Sequence, residues 1–183
     1  MVSKRLIVAS VAIAVIVVVA GFIYFAAKPP SQTAAESMIL TPQEIGEDWI
    51  GSDLNPVNIE TYPNHTSFCS QQVQNQTIGV GLIVYVFETN NDSLSTFTER
   101  TNLVQNDPYY SNFTHFSIGD DLCYFELEDY PAAFLLLDRT MTVLWTDDDH
   151  FSSEAWYKIS TLEIATLQAD KIDQYLAQHP GAN

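Results

Sequence analysis

The chain has 183 residues, and 23 acidic side chains against 7 basic ones leave a formal charge of −16. Charged residues make up only 16% of the sequence against a typical ~25%, so the imbalance reflects missing bases more than surplus acids. Such a surface repels phosphate backbones, which argues against nucleic acid and against close docking onto anionic lipid, and leaves cations or basic partners open.

Residues 1–5 carry Lys4 and Arg5 and precede Leu6–Ala27, a run of 22 uncharged residues. At ~1.5 Å per residue it would reach roughly 33 Å as a helix, enough for a hydrocarbon core of about 30 Å. A cleaved signal peptide would carry a shorter apolar run of roughly 7–15 residues, so the segment reads as a transmembrane anchor. A lipid anchor is excluded, because the first cysteine is Cys69. Lys4 and Arg5 before the span against Lys28 alone soon after it place the N-terminus in the cytoplasm and the rest outside, in the cell membrane's extracytoplasmic space. Lys28–Glu36, with Pro29 and Pro30, reads as a short stalk, and residues 37–183 as one domain.

Along that domain, Thr41-Pro42-Gln43-Glu44 has the cap and proline of a short helix that Gly46 stops. Residues 51–66 read as irregular, and Ser67–Val73 as a strand. Asn75-Gln76-Thr77 turns the chain into Gly79–Glu88, apolar on both alternating sets and therefore a central strand covered on both faces. Asn91-Asp92-Ser93 then caps a helix whose stripe is Leu94, Phe97, Thr101 and Val104, ending before Asp107-Pro108. Phe116–Leu127, Ala132–Asp138 and Met141–Trp145 form three strands of an antiparallel meander. Ser160-Thr161-Leu162-Glu163 reads as the capping box of a last helix with Leu162, Ala165, Ala169, Ile172 and Leu176 on one stripe, closed by His179-Pro180-Gly181. The expected fold is α+β: a transmembrane helix, then a mostly antiparallel five-stranded sheet packed with two main helices and one short helix.

This order, with Ile118-Gly119-Asp120-Asp121 opening the third strand and the hairpin Leu137-Asp138-Arg139-Thr140-Met141-Thr142-Val143, resembles small anchored prokaryotic extracytoplasmic domains with a PsbP-like α/β sandwich over residues 38–178. The resemblance implies a non-catalytic accessory or sensor module and carries over no catalytic residue.

Cys69 and Cys123 are the only cysteines, and in an oxidising compartment the pair reads as a disulfide, with two buried free thiols as the alternative. Sequons at Asn64, Asn75, Asn91 and Asn112 fit an exposed surface. Glu128 and Asp129, after the third strand, and Asp147, Asp148 and Asp149, after the fifth, would emerge at one end of the sheet, where clustered carboxylates suit Ca²⁺. Their spacing matches no EF-hand, so solvated loop tips are the competing reading. Asp120 and Asp121 read as a bend in the strand. His65, His115, His150 and His179 are scattered, and there is no nucleophile elbow, HExxH helix, P-loop or dinucleotide turn. Trp49, Trp145 and Trp156 read as core, whereas Tyr109 and Tyr110 sit on a loop where both cannot pack inward, which marks a candidate partner surface. These features point to a non-catalytic binding or accessory domain without a cofactor, with a calcium-dependent hydrolase or adhesin on the acidic loops as the alternative.

Overall fold

The computed structural model describes residues 33–51, 65–76, 78–127, 130–147 and 154–180. The predicted anchor Leu6–Ala27 lies outside the described residues, and no helix among those described is long and apolar enough to cross a membrane. Residues 32–183 form one unit of the chain.

The described residues open with two short capped helices. In α1 (Ala34–Met38), the Thr33 hydroxyl accepts from the Glu36 N–H at 3.2 Å while the Glu36 carboxylate accepts from the Thr33 N–H at 2.8 Å. This reciprocal capping box satisfies two N–H groups that a helix start leaves open. Ala34–Glu36, stalk by composition, thus belong to a helix whose Ala35 and Met38 are fully buried. In α2 (Pro42–Ile45), Pro42 occupies the first turn and Glu44 closes back on Thr41. The strands are β1 (Ile50–Gly51), β2 (His65–Gln74), β3 (Gly79–Phe87), β4 (Tyr110–Phe116), β5 (Asp121–Leu127), β6 (Tyr130–Leu137) and β7 (Thr140–Asp147). Helix α3 (Asn90–Asn106) joins β3 to β4, and α4 (Glu154–Gln178) follows β7.

The expectation of five strands is corrected: among the described residues the sheet has seven, in the order β1-β2-β3-β7-β6-β5-β4, and every neighbouring pair is antiparallel. Two strands were hidden in the sequence for different reasons. The run Phe116–Leu127 is broken at Gly119, which has φ of +62° and would place a Cβ 2.7 Å from the Leu136 carbonyl. That conformation and that clearance both require glycine. The chain reverses there between β4 and β5. By composition β4 reads as loop, because the β4–β5 pairing slips between Ser111 and Thr114 and a bulge of this kind destroys the period of two. β1 is only two residues long and leaves no periodic trace.

Register fixes two faces. On one, Val80, Leu82, Val84, Val86, Leu122, Tyr124, Leu135 and Leu144 pack against α1 and the α4 stripe Ile164, Ala165, Ala169 and Ile172. On the other, Ile83, Tyr85, Phe87, Phe125, Phe134, Leu136 and Met141 pack against Phe97 and Val104 of α3. β3 is buried along Val80–Phe87 because helices cover both of its faces, as its double apolar pattern implies. The two helical covers differ in quality. α4 presents small alanines, whereas α3 turns Ser93, Thr96 and Thr101 to the sheet and leaves Leu94 and Leu103 about half exposed. Leu94, expected on the buried stripe, therefore faces outward.

Candidate interaction site at the end of helix α3

Pro108 cannot extend α3, and Asp107 shapes the turn that leaves it. Its backbone N–H reaches the Val104 carbonyl at 3.3 Å, its side chain accepts from the Tyr109 N–H at 3.0 Å, and its carbonyl accepts from the Tyr110 N–H at 3.1 Å. This tight turn separates the two tyrosines, as their place on a loop predicts. Tyr109 is left 68% exposed, while Tyr110 starts β4 and sets its ring edge-on to Phe125 at 5.5 Å. Phe125 in turn packs on Phe113 at 6.3 Å and Phe134 at 4.9 Å, so Tyr110 joins Phe113 and Phe134 in an aromatic row about Phe125.

Between this row and the last turns of α3 lies a cleft of about 330 Å³ lined by Arg100, Leu103, Val104, Asp107, Tyr110 and Phe134. The sheet extends the apolar rim: Tyr110 is in register with Leu127, and Leu127 with Tyr130. Cross-strand partners share a face, so the three form a row across the end of β4, β5 and β6. Among the described residues, seven large apolar side chains are notably exposed; of these Leu103 lines the cleft, Leu127 and Tyr130 belong to the row, and Tyr109 precedes Tyr110 in the chain. Leu103, Leu127 and Tyr130 had no sequence signal, because each occupies an ordinary position in a helical or strand pattern.

The predicted disulfide is corrected. Cys69 belongs to the α4 side of the sheet and Cys123 to the α3 side, and β3, β7 and β6 stand between their strands. Four strand spacings make roughly 19 Å, far beyond the about 7 Å that a disulfide spans. Both are buried free thiols. Burial, with the Glu36 carboxylate adding to it, pushes the Cys69 thiol up to about 11, and burial likewise raises Cys123.

Of the acidic set, Glu128, Asp129, Asp148 and Asp149 lie outside the described residues, as does the side chain of Asp147. The backbone of Asp147 ends β7 in register with Gly79, at the end of the sheet where β5 stops at Leu127. Among the described residues no three His, Cys, Asp or Glu side chains gather to hold a metal ion. Asp120 and Asp121 have separate structural tasks. The Asp120 carboxylate accepts from the Asp138 N–H at 2.6 Å and so pins the β6–β7 turn, where Asp138 has φ of +52°. Asp121 sits 3.0 Å from Nδ1 of His115. His65 packs on Phe68 and Tyr85, His179 stacks on Tyr175 at 4.2 Å, and His150 lies outside the described residues.

The sequons also separate. Asn91 is exposed in the first turn of α3. The Asn75 side chain accepts from the Ile78 N–H at 2.9 Å and closes the β2–β3 turn. Asn112 occupies the β4 bulge at φ of +54°, a conformation that asparagine tolerates well, and its amide donates to the buried carboxylate of Glu126. Asn64 lies outside the described residues. Trp49 packs on the α4-side core. Trp145 lies flat over Gly81, where a Cβ would come within 2.1 Å of the indole. The Trp156 side chain lies outside the described residues.

No protein-family model and no curated protein matches this chain.

Proposed function

We propose that this chain is a membrane-anchored extracytoplasmic binding or accessory module with no catalytic role, and that it docks a protein partner at the corner formed by Leu103, Tyr109, Tyr110, Leu127 and Tyr130. One observation carries this reading. Leu103 and Tyr110 line the cleft, exposed Leu127 and Tyr130 continue the Tyr110 row across the neighbouring strands, and apolar side chains grouped beside a concavity are characteristic of interaction surfaces. Tyrosine suits the role, since it offers a large contact area with one polar tip and few rotors to immobilise. The resemblance to PsbP-like accessory domains points the same way, and the span Leu6–Ala27 is the proposed tether.

The test is the size of the assembly containing this chain, extracted from its native membrane in mild detergent. Wild type is expected to migrate above the mass of the single chain. The double variant Leu103→Ser with Tyr109→Ser, altering two exposed side chains, is expected to return to it while melting within about 0.5 kcal/mol of wild type, as surface changes do. An unchanged assembly in the double variant sinks the proposal.

A further inference from the structure

We propose that the cleft at the end of α3 receives a basic side chain, arginine or lysine, from an extended segment of the partner protein. This inference rests on the reading of the corner as a docking surface and adds the chemistry of what enters it. Three observations converge on a cation. The C-terminal end of α3 has no basic residue in its last turn, so the partial negative charge of its terminal carbonyls has no counterion from that turn. Asp107 adds a carboxylate at that same end and lines the cleft. Tyr110 lines the same cleft, and a tyrosine ring attracts cations.

The charge of the whole domain supports the choice. Lys4, Arg5 and Lys28 all precede it, so residues 33–183 carry 23 acids against 4 bases, and a basic segment is drawn in from a distance. The apolar walls, Leu103, Val104 and Phe134, take the aliphatic stem of a long basic side chain, which commonly lies along apolar surface with its charge at a polar rim.

Arg100 lines the same cleft and gives the segment a direction. It stands seven residues before Asp107, roughly 10 Å along the helix. The incoming cation belongs at the Asp107 end, away from the like charge of the Arg100 guanidinium.

The experiment uses the full chain, isotope-labelled, in nanodiscs of zwitterionic lipid. It is titrated with four acetylated and amidated peptides that share a tryptophan and differ at one neighbouring position: Arg, Lys, Gln or Glu. The Arg and Lys peptides are expected to shift the amides of residues 100–110, Leu127 and Tyr130, binding roughly fivefold more tightly than the Gln peptide at low salt, with the margin shrinking at 0.5 M salt. Asp107→Asn retains the carbonyl that accepts from the Tyr109 N–H, so the turn survives. It is expected to lower the Arg peptide to the level of the Gln peptide, whereas Arg100→Gln is not. Equal binding of all four peptides at this corner overturns the cation and leaves the docking surface standing. Preference for Glu, shifts confined to another face, or no shift with any peptide overturns the proposal, and the assembly-size test then decides separately whether the corner docks anything.

Discussion

Above pH 9, Cys69 keeps a proton that the unfolded chain would release, and this ties one buried atom to a measurable pH dependence. Its folded-state pKa of about 11 lies above the ordinary thiol value of 9.0. The folded state therefore keeps the proton while the unfolded state loses it, so the associated stability is complete below pH 9 and is lost as pH rises toward 11. The loss should be on the order of 2 kcal/mol by pH 11, read as the difference between wild type and Cys69→Ala in denaturant melts across that window, which removes contributions common to both. Identical pH profiles would show that the thiol is not held in this way. The same two thiols should resist a disulfide-exchange reagent in the folded protein and react fully in denaturant without reductant. A thiol count of zero under those conditions would mean that the cysteines are bridged and that the strand order separating them by four strand spacings is wrong.

Between elements, Gln168 makes a buried polar tie. It is fully buried at the centre of the α4 face, its Nε2 donates to the Met38 carbonyl at 2.8 Å, and its Oε1 accepts from the Leu40 N–H at 3.1 Å. The side-chain amide completes the backbone of the segment leaving α1, which a helix packed on a sheet could not otherwise satisfy. Gln168→Leu keeps the volume but strands both groups, and should cost about 2–4 kcal/mol in a denaturant melt. A loss under 1 kcal/mol would mean that water replaces the amide. Nothing in the sequence advertised this residue, since a glutamine between Leu167 and Ala169 reads as solvent-facing. The boundaries of α4 misled for a related reason: Ser160 and Thr161 resemble a cap, but both are buried inside a helix that begins at Glu154. Signals carried by local chemistry translated better. Pro42 in the first turn of α2, the double apolar pattern of β3, the asparagine turn after β2, and Pro108 after α3 all stand where residue type alone puts them. The bulge at Asn112 did not translate, because it shifts Tyr110 and Phe113 onto one face three residues apart and so mimics a loop.

For the molecule as a whole, the sandwich is asymmetric. α4 and α1 seal one face with Ile164, Ala165, Ile172 and Met38, whereas α3 crosses the other with two large apolar side chains, Phe97 and Val104, in its buried set. The uncovered corner is a consequence of that thin cover, and it lies at the end of the sheet where β4, β5 and β6 align Tyr110, Leu127 and Tyr130. The tyrosine pair is legible from Pro108 and the loop composition. The leucine and the two strand ends are not, since only the pairing register brings them together. That juxtaposition is the central claim, and site-specific photo-crosslinking in the cells that make this chain tests it most directly. A photoreactive phenylalanine analogue replaces Tyr109 on this corner or Asp170, an exposed position on α4. The account predicts one discrete crosslinked product from position 109 and none from position 170; a product from position 170 alone would contradict it.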